Sequence, residues 1–143
     1  MDERKRYKEG MKVRRAVLGS AHVDRANAQV SEFNAPFQEL ITRYAWGEIW
    51  SRPGLPRKTR RLITIAMMVA LNRTDELRLH LRAAANTGVT RKEIQEVLLQ
   101  TAVYCGVPAA NNAFHVAEEV FAESGEQAAP QPKREPGSRS ARP

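Results

Sequence analysis

Between Arg57 and Leu71 the chain reads Arg-Lys-Thr-Arg-Arg-Leu-Ile-Thr-Ile-Ala-Met-Met-Val-Ala-Leu, basic for one turn and then nearly apolar on every side. A helix without a polar face has to lie at the centre of a fold or against another subunit, since packing on one side would leave the rest of its surface in water. That segment demands partners, and the remainder of the chain supplies them in helical form. Apolar residues recur three and four apart along most of the sequence, and no stretch shows the strict alternation of a half-buried strand.

A first helix is predicted over 3–18, with Tyr7, Met11, Val17 and Leu18 on one stripe and Gly19 ending it. A loop with His22 and Asp24 follows. The second helix, 34–50, takes Asn34 as its cap and Pro36 in its first turn, where a missing N–H costs nothing. Its stripe is Phe37, Leu40, Ile41, Tyr44 and Ala45, and Glu48 continues that stripe, an unusual place for a carboxylate. Pro53, Gly54 and Pro56 turn the chain into the third helix, 57–71. Thr74 opens the fourth, which carries Leu77, Leu81, Ala84 and Ala85 and ends near Gly88. The fifth has the clearest start: Thr90 and Glu93 form a capping box, with Val89 and Ile94 as its hydrophobic staple. It runs to Cys105, and Pro108 opens a sixth helix reaching Ser124. Six helices joined by short turns describe an all-α bundle.

The formal charge of +7 and the pI near 10.1 raise a nucleic-acid reading, which the position of the charge argues against. Residues 1–17 hold seven Lys/Arg against three Asp/Glu, and residues 126–143 hold four against two, so the stretch between is close to neutral. The last of these segments has several prolines, no aromatic and no large apolar side chain, so it cannot bury enough surface to offset the entropy of ordering. The expected organisation is a single helical domain over 1–125 and a disordered basic tail over 126–143, with no nucleic-acid partner.

A lone cysteine, Cys105, excludes an internal disulfide framework and a Cys-x-x-Cys redox pair, and its place on an apolar stripe predicts burial. A reducing, cytoplasmic compartment is the simpler expectation. No run of about 18 apolar residues exists to span a membrane. The three histidines, His22, His80 and His115, lack local ligand spacing, so no metal is expected.

Chemistry is concentrated in Thr74-Asp75-Glu76-Leu77-Arg78-Leu79-His80. Glu76 and His80 stand one helical turn apart and share a face. A carboxylate beside a histidine can fix its tautomer and raise its pKa, as a proton donor working near neutrality requires. Trp46 and Trp50, also one turn apart, suit a pocket wall or, by default, a dimer interface.

Five blocks taken together carry a family resemblance. They are Tyr44-Ala45-Trp46-Gly47-Glu48-Ile49-Trp50; Arg57-Lys58-Thr59-Arg60; Glu76-Leu77-Arg78-Leu79-His80; Asn86-Thr87-Gly88-Val89-Thr90 with Glu93; and Tyr104-Cys105-Gly106-Val107-Pro108-Ala109-Ala110. In this order and spacing they resemble the 4-carboxymuconolactone decarboxylases, over residues 20–122. The resemblance implies an alkylhydroperoxidase-like helical fold assembled as a trimer of dimers, or as a trimer. Many members of that wider superfamily carry Cys-x-x-Cys-x-x-x-His. Counting back from His80, the cysteine positions are held here by Arg73 and Glu76, so thiol redox chemistry is lost. Arg61 stands where many of those proteins carry an acid, so their proton relay does not transfer.

The resemblance further implies a cofactor-free carboxy-lyase acting on a dianionic lactone in protocatechuate catabolism. His80 is then the proton donor or the hydrogen-bond donor to the developing oxyanion, oriented by Glu76 or Glu48. Arg57 and Arg60, then Arg78, are the candidates for gripping substrate carboxylates, and His115 is a further substrate-binding candidate. Two alternatives stand beside this reading: a decarboxylase or isomerase for another lactone acid, and a non-catalytic helical assembly protein that binds an acidic partner.

Overall fold

The computed structural model describes residues 2–124; the tail expected over 126–143 lies outside them. The described residues form seven α-helices and no strand: α1 Glu3–Leu18, α2 Ser20–Ala28, α3 Ala35–Ile41, α4 Arg57–Ala70, α5 Thr74–Arg82, α6 Arg91–Tyr104 and α7 Val107–Glu123. A π-helical segment, Thr42–Ile49, continues α3, and a 3-10 turn, Ala84–Thr87, follows α5. The all-α expectation stands, but the count of six does not. The stretch read as a loop around His22 and Asp24 is helix α2, which begins directly after Gly19 at φ +90° and buries only Val23. A helix with one buried contact leaves little apolar periodicity to read.

The helix expected over 34–50 also differs from the straight α-helix its stripe suggests. Asn34 stands at the N-cap position but its side chain makes no cap bond; its Oδ1 instead accepts from the Ser31 N–H at 2.7 Å. From Thr42 onward the backbone bonds lengthen to the π register, so that the Trp50 N–H donates to the Ala45 carbonyl at 2.9 Å. The segment packs closely against α1. A Cβ on Gly10 would stand 1.9 Å from the Thr42 carbonyl oxygen, and one on Gly47 would stand 2.5 Å from that of Arg6. The two backbones touch through these glycines, so the small-residue face with Thr42, Trp46 and Gly47 is the buried one. Phe37, Leu40 and Tyr44, the predicted stripe, are left exposed.

Two apolar clusters share the interior. The larger joins α4, α5, α6 and α7 through Ile65, Leu77, Leu81, Leu98, Ala113 and Val120; the smaller joins α1, α2 and the π segment through Val17, Val23, Trp46 and Ala83. Each fully buried Leu, Ile or Val contributes about 1.5–3 kcal/mol from its removal from water. Helix α4 buries Arg61, Ile65 and Val69, one turn apart, and exposes Ile63, Met67 and Leu71 on its other side. The capping box of α6 forms as expected: the Glu93 N–H donates to Thr90 Oγ1 at 3.1 Å and the Thr90 N–H donates to Glu93 Oε1 at 3.0 Å. Cys105, expected inside, is exposed, because the chain leaves α6 there before turning at Gly106.

Candidate active site

Arg61 is the largest side chain with no exposed surface, and it lies at the seam of the two clusters. Its Nη2 donates to the Val17 carbonyl at 2.5 Å and the Ala83 carbonyl at 3.3 Å, and its Nε donates to Thr87 Oγ1 at 3.3 Å. Val17 is in the last turn of α1 and Ala83 caps α5. Carbonyls at helix C-termini carry partial negative charge, so two helix ends converge on the guanidinium in place of a carboxylate. Among the described residues no acid forms an ion pair with Arg61. Burial alone lowers its pKa to about 10, leaving it a cation at neutral pH.

His80, 7% exposed, is the neighbour that matters. Arg61 Nη1 stands 2.6 Å from His80 Nδ1. A guanidinium only donates, so Nδ1 must accept, and the neutral ring carries its proton on Nε2. Trp50 lies parallel to the imidazole, with 5° between the planes and 6.5 Å between centroids, and Trp46 stacks on Trp50 at 5.2 Å. The Arg61 guanidinium carbon is also 5.6 Å from the Trp50 ring centre, within cation–π range. The tryptophans thus serve the interior of one chain: Trp46 packs in the smaller cluster and Trp50 walls His80. Burial first, and the Arg61 charge second, push the His80 pKa down to about 4. The rise expected from a carboxylate neighbour is replaced by a fall.

The remaining predicted residues are distributed around this pair. Glu76 is exposed in the first turn of α5 and makes no hydrogen bond to His80; its charge acts on half-buried His22 of α2. Burial, then Arg25 and Arg14, lower the His22 pKa against that pull. Glu48 pairs with Arg6 across the α1 contact and with Arg52 at 3.6 Å, and it does not reach His80 either. Helical spacing puts Glu76 on the His80 side of α5, yet the buried side of that helix faces the cation on α4.

Arg57 precedes Arg61 by one turn of α4, is exposed, and has no ion pair among the described residues. Arg60 donates to the Arg52 carbonyl at 3.4 Å, and its buried Nε has no hydrogen-bond partner. Arg78 is taken by Glu119 at 2.8 Å and Glu123 at 3.8 Å on α7. His115 is exposed on α7. Among the described residues no group of three His, Cys, Asp or Glu side chains could hold a metal ion. Sequence reasoning passed over Arg61 as a partner of His80. The signal was present: one cation at the head of the Arg61, Ile65, Val69 row, on the face of α4 that has to be buried.

The site is a buried Arg–His pair at the seam of an all-helical fold, in a chain whose single cysteine cannot form a thiol pair. The chain belongs to the carboxymuconolactone decarboxylase family, whose sequence model matches residues 35–119. It is 54% identical to the 4-carboxymuconolactone decarboxylase of Acinetobacter baylyi over 125 residues, covering 87% of this chain and 93% of that one. It is 46% identical to the nitrosuccinic acid decarboxylase of Metarhizium robertsii over 118 residues, 82% of each chain. A 48-residue sequence of a Pseudomonas putida 4-carboxymuconolactone decarboxylase matches over its full length at 60% identity, covering 34% of this chain.

Proposed function

We infer that this protein decarboxylates 4-carboxymuconolactone to 3-oxoadipate enol-lactone, in the catabolism of protocatechuate. The substrate rests on the likeness to the Acinetobacter enzyme over nearly its whole length. The chemistry rests on one observation, the buried imidazole of His80 whose Nδ1 is occupied and whose Nε2 carries the proton.

As the carbon–carbon bond to the leaving carboxylate breaks, its electron pair moves through the ring double bond onto the lactone carbonyl oxygen, and carbon dioxide departs. The substrate is its own electron sink. What the protein must supply is a donor aimed at the oxygen where charge develops, in a place from which water is excluded. The neutral His80 Nε2–H meets that need. Of the two roles open to it, oxyanion donor is favoured over proton donor: a ring with a pKa near 4 holds almost no imidazolium at pH 7. The resulting dienolate takes a proton, supplied ultimately by solvent, on the ring carbon beside the carbonyl.

Arg57 and Arg60 are the candidates to grip the substrate carboxylates: Arg57 is exposed, and Arg60 is held only by a long bond to the Arg52 carbonyl at 3.4 Å. Arg78 has to leave Glu119 to do the same, and His115 stands further out on α7. Glu48 and Glu76 act, in this reading, through the ion pairs and charges around the site and not through a bond to His80. Nitrosuccinic acid presents a related problem. Loss of carbon dioxide beside a nitro group leaves charge on the nitro oxygens, which the same N–H can receive.

The working unit is a homo-oligomer, a trimer of dimers or a trimer, in the cytoplasm. Its support is the apolar side chains left in water on one chain, among them Leu71, Val103, Tyr104 and Val107, each more than 60% exposed. No described helix is long and apolar enough to cross a membrane. The test is turnover by purified, chelator-treated protein, offered 4-carboxymuconolactone and nitrosuccinate in parallel. A kcat/KM at least 100-fold higher for the lactone supports the assignment. The reverse preference moves the protein to nitro acids, and no turnover of either by a folded sample removes the decarboxylase reading.

A further inference from the structure

We propose that Arg61 is the positioning residue of the site: clamped by three neutral acceptors at the ends of α1 and α5 and in the 3-10 turn, it donates its remaining arm to His80 Nδ1 and so locks the imidazole with Nε2–H as its free donor. The inference builds on the decarboxylase reading and assigns a role in it to a residue that touches no substrate.

The geometry of the clamp is what makes this more than a buried ion. Nε and Nη2 together meet Thr87 Oγ1, the Val17 carbonyl and the Ala83 carbonyl, so the guanidinium plane is fixed on one edge by three different elements. Thr87 is itself anchored, its hydroxyl donating to the Ala84 carbonyl at 3.0 Å, and the Val17 carbonyl is also taken by Asn86 Nδ2 at 3.2 Å. With that edge fixed, Nη1 has one direction left, toward His80. The ring is then held at Nδ1 by Arg61 and flanked on one face by the parallel indole of Trp50.

An arginine paired with a carboxylate could not do the same work, because the acid would cancel its charge. Here the counter-charge is spread over helix-end carbonyls, and the cation keeps its field on the imidazole. A positive charge hydrogen-bonded to Nδ1 draws electrons from the ring, which makes Nε2–H a stronger donor to an oxyanion and disfavours a second proton.

Several other charged groups of the neighbouring elements have partners of their own. Glu119 and Glu123 of α7 are held by Arg78 and Arg82, Glu76 of α5 acts on His22 of α2, and Arg14 of α1 bonds Thr42 and Gln38. Arg61 is the charge that moves the His80 pKa.

The test reads His80 by its ring-nitrogen NMR signals, assigned through their loss in His80→Gln, in the wild type and in Arg61→Gln and Arg61→Lys. In the wild type the Nε2–H tautomer persists from pH 8 down to pH 5. Arg61→Gln mixes the tautomers, raises the titration of His80 by the part that the Arg61 charge contributes while burial still holds it below 6.5, and lowers kcat about 10-fold to 100-fold. Arg61→Lys keeps the charge without the fork, so its titration stays low while kcat still falls. A wild-type ring protonated on Nδ1, or one that titrates near 6.5, overturns the proposal even if neither variant folds. So does an Arg61→Gln protein with unchanged tautomer and titration. If the tautomer behaves as proposed in a protein that turns over neither acid, Arg61 keeps its positioning role and the decarboxylase reading falls instead.

Discussion

The indole of Trp50 and the imidazole of His80 lie 5° from parallel, with Arg61 beside both. Trp50 is reached at the end of the π segment, where its N–H closes a bond to Ala45, so the widened register sets where the indole falls. π-Bulges recur at functional sites because they re-aim a side chain that an α-helix would place elsewhere.

Trp50→Ala therefore removes the wall of the histidine while leaving its Arg61 bond. It should lower kcat about 10-fold or more and admit water to the site. Trp50→Phe should recover most of that loss. Steady-state kinetics on both variants, with circular dichroism to show the fold intact, decides it. An unchanged kcat in Trp50→Ala would remove the indole from the site.

Gly10→Ala tests the contact between α1 and the π segment. Its Cβ would stand 1.9 Å from the Thr42 carbonyl, an obstacle made of backbone that no rotamer change relieves. The cost should be about 3 kcal/mol, at the upper end of ordinary overpacking. Urea denaturation gives the value. A control at Gly54, where an added Cβ meets nothing within 4 Å, should change stability little.

His80 also predicts how stability follows pH. Its folded-state pKa near 4 lies below the unfolded value near 6.5, so between those values the unfolded chain binds more protons and gains on the folded one. The contribution is complete above pH 6.5 and is lost as pH falls through the window. From pH 7.5 to pH 5 it amounts to about 2 kcal/mol. His22, also lowered, pulls the same way. Wild type should therefore lose about 2 kcal/mol more than His80→Gln across that interval, measured by urea denaturation at the two pH values. Equal losses would show that His80 is not held neutral by the fold.

Assembly is tested on the groove between α4 and α6. It has a volume near 350 Å³ and is lined by Leu62, Ile63, Ala66, Val97, Tyr104 and Cys105. Tyr104, which lines it, is 82% exposed, and Val103, its neighbour in sequence, is 77% exposed. Light scattering on the wild type should give a mass several times that of one chain. Val103→Asp with Tyr104→Asp should shift it toward the monomer. A monomeric wild type contradicts the oligomer.

The helices most legible in the sequence were those with local punctuation. The Thr90–Glu93 box and the breaks at Gly19 and Gly106 set α6, α1 and α7 to within a residue or two. What could not be read was packing between distant segments. Gly10 and Gly47 bring two backbones into contact, and that contact, invisible to a hydrophobic stripe, turns Phe37 and Leu40 outward and buries Thr42. The candidate site followed the same division. His80 is legible as the one histidine in a chemically dense turn, but the sequence offers Glu76 or Glu48 as the group that orients it. Its partner is instead Arg61, 19 positions away in sequence on another helix, held by helix ends whose convergence belongs to the fold.

One measurement bears on the whole mechanism: kcat for 4-carboxymuconolactone in His80→Ala, on a sample whose fold and assembly match the wild type. Loss of an oxyanion donor costs about 100-fold to 1000-fold, and that fall, with KM changed much less, is the predicted result. A variant that turns over within a few-fold of the wild type would mean that His80 is a buried structural residue and that the chemistry lies elsewhere in the fold.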